Sequence, residues 1–319
     1  MNISSIIETI NTISVPDANY VVFLEENGRC YFGKDKEDNI VFMLPSALTK
    51  VSAFNQVTKS LRFSFNKKCT FVNNSVSETK VMHVLTCSEK QRDKLCAFIR
   101  LTRAFSTSDP EKDQYYLARL FASISALFDK QRQVSEMELQ GLFAELYAIL
   151  HFRDLGCDIA RHWQSHDKMK FDFSISNKKR IEIKSTIKAN RTHHFNHDQL
   201  LSSLYDIKIV SIMLQKNDYG LSLGEVVEII REEYADDFAL LLRIESTIAH
   251  VDQESLNENK FDRTYLENNI RYFDASIIPH FNEKSPEGVF NAEYDCSLDT
   301  VQNMPKDEIK NWIKENVYV

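Results

Sequence analysis

The segment 170–184 places an aspartate, a glutamate and a lysine where two neighbouring β-strands could direct them at one cation. Apolar residues alternate with Asp172 before the polar turn at 177–179, and with Glu182 and Lys184 after it. Because successive residues of a strand face opposite sides of the sheet, each strand would have one apolar and one polar face. Two carboxylates on one face repel each other unless a cation lies between them or one is protonated. The pattern therefore predicts a β-hairpin with an oxygen-ligand site of the kind that Mg²⁺ prefers.

The Glu182-x-Lys184 spacing is weak support when it is taken alone. With 46 acidic and 39 basic residues in 319 positions, chance supplies about six acid-x-base triplets. A solvated strand face is the ordinary alternative for such a triplet. The metal-site hypothesis therefore depends on further residues.

A glutamate on a preceding helix strengthens the hypothesis. The neighbours of Glu145 along its helix face are small or apolar: Gly141, Leu142, Ala148, Ile149 and Phe152. No basic residue is within reach for an ion pair on the helix surface, and a carboxylate is costly to bury in such surroundings unless something compensates it. We expect a metal ion, water or Lys184 to do so. The alternative is that this helix face is exposed to solvent.

A basic segment surrounds the hairpin of an otherwise acidic chain. The formal net charge is −7, yet residues 161–197 contain nine Lys or Arg against three Asp or Glu. This local excess suggests one anionic ligand rather than general binding to nucleic acid. Lysines that merely keep a hairpin solvated would give the same composition. We expect Lys188, Arg191 and Gln199 to contact a phosphate backbone beside the metal.

The positions of the cysteines and histidines indicate whether the chain could also bind zinc. The six cysteines are scattered without a Cys-x-x-Cys pair, which argues against a zinc finger or a disulfide framework and for reduced thiols in a cytoplasm. His193 and His197 could be zinc ligands, or polar residues of a strand and a helix start. The chain has no apolar run of bilayer length and no signal-peptide pattern at its N-terminus. We therefore expect a cytoplasmic protein with no membrane partner.

The order of predicted elements suggests three structural parts. We expect an N-terminal α+β domain over 1–130 with a scaffold, recognition or docking role, a core over 131–249 that contains the candidate metal site, and a C-terminal α/β extension over 250–319 packed on the core. Ser135 opens a helix with a capping-box pattern, and Gly156 follows it as a stop. The other predicted elements are strands at 20–24, 41–44, 61–65, 81–87, 205–214, 270–278 and 289–296, and helices at 90–105, 115–128, 222–233 and 307–315.

Helix glutamate, strand aspartate and strand Glu-x-Lys, in this order, resemble the PD-(D/E)XK nuclease superfamily. The motifs are Gly-Leu-Phe-Ala-Glu-Leu at 141–146, Phe-Asp-Phe at 171–173 and Ile-Glu-Ile-Lys at 181–184. The resemblance implies an α/β (α+β) fold with a restriction-endonuclease-like core, in which the order αβββαβ forms a mixed central sheet flanked by helices. Phe171 stands where the superfamily name has proline, which is a backbone-positioning residue rather than a chemical one.

More specifically, the chain is similar to a bacterial family of PD-(D/E)XK proteins that tends to accompany restriction-type defence genes. Trp163 ahead of the hairpin, Gln199-Leu200 after it, and the segments 220–223 and 272–281 add to the likeness. It covers most of residues 135–300. The resemblance implies a DNA endonuclease of restriction or anti-phage type, with a nuclease for RNA or branched DNA, or a non-catalytic binding or docking subunit, as alternatives.

The resemblance also implies roles for individual residues. Asp172 and Glu182 would hold Mg²⁺, for which Mn²⁺ would substitute, with the backbone carbonyl of Ile183 as a further ligand. Glu145 would hold a second metal or its hydration shell, and Lys184 would orient or deprotonate the attacking water. DNA is the implied partner, together with a possible second copy of the chain and an ATPase or methyltransferase protein.

Overall fold

The structure is a computed structural model of the 319-residue chain. It describes residues 3–17, 19–46, 54–73, 76–108, 114–129, 134–164, 171–201, 205–249, 251–281, 286–288 and 292–315. The chain forms two compact units. The first comprises Met1–Gln131 and Tyr234–Ala249, and the second comprises Arg132–Glu233 and His250–Val319.

The helices and strands follow one another along the chain in mixed order. Up to residue 131 they are α1 (Ile3–Thr12), β1 (Tyr20–Leu24), β2 (Tyr31–Asp35), β3 (Ile40–Pro45), β4 (Phe54–Val57), β5 (Leu61–Asn73), β6 (Val76–Cys87), α2 (Arg92–Thr107) and α3 (Gln114–Asp129). After it they are α4 (Glu136–Asp154), β7 (Phe173–Ser174), β8 (Lys179–Thr186), β9 (Thr192–Asn196), β10 (Asp206–Met213), β11 (Lys216–Ser222), α5 (Leu223–Glu233), α6 (Phe238–Ile248), α7 (Gln253–Glu258), β12 (Lys260–Phe261), α8 (Arg263–Asn268), β13 (Ile270–Asp274), β14 (Glu293–Ser297) and α9 (Lys306–Lys314). Short 3₁₀ turns occupy Ala160–His162, His197–Gln199 and Ala275–Ile277.

The first unit is an antiparallel sheet covered by helices. Its strands lie in the order β1-β2-β3-β6-β5-β4, and α1, α2 and α3 bury their apolar residues against one face. Helix α6 belongs to this unit, although its residues fall within the range 131–249 that we expected to form one domain. Phe238 contacts Phe105 in this core, and the Arg100 guanidinium donates to Glu245 at 2.7 Å. The long-range partners of α6, rather than its position in the chain, decide where it packs.

The second unit contains a four-stranded mixed sheet in the order β13-β10-β8-β7. Strands β8 and β10 run parallel, while β7 and β13 pair antiparallel with them. Helix α4 packs on β8, and α5 packs on α4. Strand β13, from the predicted C-terminal extension, is therefore part of the central sheet. This arrangement confirms the expected mixed α/β class.

Local signals predicted the elements next to the hairpin well. The Ser135 hydroxyl accepts from the Glu138 N–H at 3.2 Å and Glu138 Oε2 accepts from the Ser135 N–H at 2.8 Å, which confirms the capping box. Gly156 follows α4 with φ of +74°, a conformation that favours glycine. The segment that contains His193 forms β9, which pairs with β14. Residue 170 of the predicted hairpin and residues 289–291 of a predicted strand lie outside the described residues.

Among the described helices, none has the length and apolar character that crossing a membrane requires.

Candidate active site

The hairpin register places Asp172 opposite Glu182. Phe173 pairs with Ile181 in the antiparallel β7–β8 ladder, so the next position brings the two acids across from each other on one face. The backbone N–H of Ile183 donates to Asp172 Oδ2 at 2.7 Å. Phe173 and Ile181 are fully buried on the other face. The apolar face anchors the hairpin, and the polar face gathers the carboxylates.

Glu182 is fixed by two donors on one of its oxygens. Its Oε1 accepts from the Lys184 ammonium at 2.9 Å and from the Gln199 side-chain amide at 2.6 Å. The residue is only 4% exposed. Its second oxygen, Oε2, is buried and has no hydrogen-bond partner within the part of the chain that the structure describes. A buried acceptor of this kind is costly unless a further group satisfies it.

Gln199 joins Glu182 to Lys184. Its amide donates to Glu182, while its Oε1 accepts from Lys184 Nζ at 2.9 Å and from the Asn196 N–H at 3.1 Å. The last bond belongs to a capping box on the turn His197–Gln199. Both ends of the Gln199 amide are engaged within the acid cluster, and its contact with a phosphate backbone stays a prediction.

Glu145 reaches the same cluster from α4. Its Oε2 accepts from the indole N–H of Trp163 at 2.8 Å, and the residue is half-buried. Its helix face is thus not the solvent-exposed face considered as an alternative. Burial, together with the charge of Glu182, raises the pKa of Glu145 to about 7, against the opposing effects of Trp163 and Lys184.

The electrostatic balance of the cluster favours an added cation. Burial raises the pKa of Asp172 well above its ordinary value, and the charges of Glu182 and Glu145 raise it further. Burial also raises the pKa of Glu182, although Lys184 and the nearby backbone N–H of Asp172 oppose this. Three carboxyl groups thus share one region with Lys184. Their ionised forms would be stabilised by a positive charge close by.

The carboxylates of this cluster are the kind of oxygen ligand that Mg²⁺ prefers. Among the described residues, no group of three or more His, Cys, Asp or Glu side chains is arranged to hold a metal ion. Mg²⁺ needs fewer, since it is commonly bound through one or two carboxylates and keeps several waters. The unsatisfied Glu182 Oε2 supplies one acceptor, and Asp172 lies across from it. Because the N–H and carbonyl of a strand residue point to the same side, the Ile183 carbonyl points to the side of β8 on which Asp172 lies.

Arg191 is buried in the structure, and its contact with a phosphate stays a prediction. It is 8% exposed, and its guanidinium donates to the Ser211 carbonyl and hydroxyl at 3.1 and 2.9 Å and to the Asn269 carbonyl at 2.6 Å. Burial lowers the pKa of Arg191 to about 10. The side chain ties neighbouring segments of the second unit together. Lys188, in contrast, is exposed in the connection after β8.

The two histidines considered as zinc ligands are buried with separate partners. His193 Nε2 lies 2.7 Å from the Ser211 hydroxyl. His197 Nδ1 lies 3.4 Å from the Tyr294 hydroxyl. They are polar residues of β9 and of the following 3₁₀ turn. This placement matches the second interpretation of their sequence pattern.

A mixed sheet with acids opposed on neighbouring strands, a Glu-x-Lys strand and a helix-borne glutamate together define a PD-(D/E)XK-like protein. The family model described as "Putative PD-(D/E)XK family member, (DUF4420)" matches residues 22–299. The match spans most of the chain, so the chain belongs to this family, as its motifs indicated. Membership suggests a nuclease, and nucleases of the PD-(D/E)XK type usually use divalent metals. No curated protein and no solved structure matched the chain.

Proposed function

We propose that this protein is a Mg²⁺-dependent endonuclease that hydrolyses phosphodiester bonds of DNA. The observation that carries the proposal is the buried Oε2 of Glu182, which has no hydrogen-bond partner among the described residues and lies opposite Asp172 and beside Lys184. Structural ion pairs in protein interiors normally satisfy all their oxygens. An acceptor left open among carboxyls of raised pKa is typical of a functional site.

Asp172 and Glu182 would hold the metal, with the Ile183 carbonyl as a further ligand and Glu145 near a second metal or a bound water. When bound, Mg²⁺ polarises a phosphate oxygen and lowers the pKa of a coordinated water. Lys184 has three ammonium protons, and two are directed at Glu182 and Gln199. The third would bind the attacking water or a phosphate oxygen and stabilise its charge.

DNA as the substrate rests on the family resemblance and on the basic segment around the hairpin. Lys188 is the predicted phosphate contact that the structure leaves exposed. A double-strand cut by a chain with one such site would need a second copy or two successive nicks, so we include a homodimer in the proposal. We also propose that the protein acts in restriction or anti-phage defence in the cytoplasm, together with an ATPase or methyltransferase partner.

A substrate panel tests this function. Purified protein is incubated with supercoiled plasmid, linear duplex, branched DNA and RNA, in Mg²⁺, in Mn²⁺ and in EDTA. We expect metal-dependent nicking or linearisation of the plasmid, lost in Asp172→Ala and Lys184→Ala. Glu267→Ala serves as a control, because it removes a surface glutamate that pairs with Arg263 on α8. Cleavage restricted to RNA or branched DNA would show that this nucleic acid, and not duplex DNA, is the substrate. Cleavage by Asp172→Ala at the wild-type rate would refute the proposed site.

A further inference from the structure

Trp163 lies where the segments that carry Glu145 and Asp172 come together. It is fully buried, and its indole N–H donates to Glu145 Oε2 at 2.8 Å. Its backbone forms an isolated antiparallel bridge with Phe173. The adjacent N–H of Gln164 donates to the Asp172 carbonyl at 2.7 Å. One short segment thus contacts both acids, the first through a side chain and the second through the backbone.

The chemistry of the indole makes this contact directional. The indole nitrogen is a donor only, so it holds one carboxylate oxygen of Glu145 whatever else binds nearby. A phenylalanine could occupy the same apolar space, but it would offer no donor. A buried indole N–H normally has a hydrogen-bond partner. The tryptophan at this completely buried position therefore indicates that the hydrogen bond to Glu145, and not only the apolar ring, is required.

We infer that Trp163 is a positioning residue that orients the Glu145 carboxylate toward the metal site. The inference rests on the proposed function. By engaging Oε2, the indole fixes the side chain and leaves the other oxygen for a cation or its bound water. Groups that orient metal ligands in this way commonly change metal affinity by about 10- to 100-fold when they are removed.

A double-mutant cycle on metal affinity tests the inference. Mn²⁺ binding is measured by calorimetry, without substrate, for the wild type, Trp163→Phe, Glu145→Ala and the double variant. We expect Trp163→Phe to weaken Mn²⁺ binding by about 10-fold in the wild type and to have no further effect in the Glu145→Ala background. Trp312→Phe is the matched control, because it removes another indole–carboxylate bond, from Trp312 to Asp206, in the same unit. It should leave the affinity unchanged.

The possible failures are distinguishable. Equal weakening in both backgrounds, or none in either, would overturn the positioning role while leaving the metal site intact. Absence of Mn²⁺ binding by the folded wild type would overturn the proposed function, and the inference with it. If Trp163→Phe does not fold, the indole N–H resonance of Trp163 is followed by NMR in Trp312→Phe protein. Mg²⁺ should shift this resonance, and an unchanged resonance at saturating Mg²⁺ would overturn the inference.

Discussion

Replacing Glu145 by glutamine should stabilise the metal-free protein. The pKa of Glu145 is raised from an ordinary value of 4.5 to about 7, chiefly by burial. A difference of this size corresponds to about 3 kcal/mol against the ionised form in the folded state. Glutamine removes the charge and keeps an oxygen that can accept from Trp163. Because a neutral acceptor makes a weaker hydrogen bond, we expect a net gain of about 2 kcal/mol in the free energy of unfolding at a pH above 7.

The sign of the pH dependence follows from the raised pKa. The contribution of Glu145 to stability is fully present below its unfolded pKa, near 4.5, and is lost as the pH rises through about 7. The advantage of Glu145→Gln should therefore be small at about pH 5 and reach its full size at about pH 8.

Urea denaturation in EDTA at the two pH values measures this difference. Glu267→Gln is the control, because this surface glutamate should change the free energy of unfolding by less than about 0.5 kcal/mol at either pH. A Glu145→Gln protein that is destabilised equally at both pH values would refute the reasoning. It would mean that the carboxylate is well compensated in the metal-free fold.

Three other residues give separate predictions. Gln199→Ala should lower the cleavage rate by about 10- to 100-fold, because Glu182 and Lys184 lose their common partner. Its circular dichroism spectrum should be unchanged, and cleavage at the wild-type rate would show that the Gln199 bridge is dispensable. Arg191→Ala should lower the free energy of unfolding by about 3 kcal/mol or more in urea titrations, since the Ser211 and Asn269 carbonyls lose the guanidinium donor. Unchanged stability with weakened DNA binding would instead support the predicted phosphate contact of Arg191. Lys188→Ala should weaken DNA binding and reduce the salt slope by about one, and an unchanged slope in fluorescence anisotropy would exclude a phosphate contact.

The elements that the sequence predicted are those specified by short-range chemistry. The capping box at Ser135, the left-handed glycine at Gly156 and the alternation around Asp172 each depend on neighbours within a few residues. The packing of helix α6 and the pairing partner of strand β9 were not predicted, for the opposite reason. Helix α6 packs with residues near position 100, and β9 pairs with a strand about one hundred residues later in the chain. The local sequence can indicate a helix or a strand, but it does not identify such distant partners.

The site shows the same division between local and long-range information. The order of a helix followed by a hairpin, with the alternation of its strands, predicted that Glu145, Asp172, Glu182 and Lys184 lie close to one another. The side-chain partners were not predictable in the same way. Gln199 and Arg191 both follow the hairpin as polar residues, yet one bridges the acids and the other is buried against Ser211. Only the packing of β9 and β10 separates the two roles.

The most direct test of the metal-dependent nuclease site is the rate of plasmid cleavage in Mg²⁺ by the wild type and by Glu182→Ala, measured side by side. One oxygen of the Glu182 carboxylate has no partner in the part of the chain that the structure describes, so loss of this group should lower the rate by at least about 100-fold. EDTA should abolish cleavage by the wild type. Glu267→Ala should cleave at the wild-type rate. Cleavage by Glu182→Ala at the same rate as the wild type, or cleavage by the wild type that persists in EDTA, would contradict the assignment.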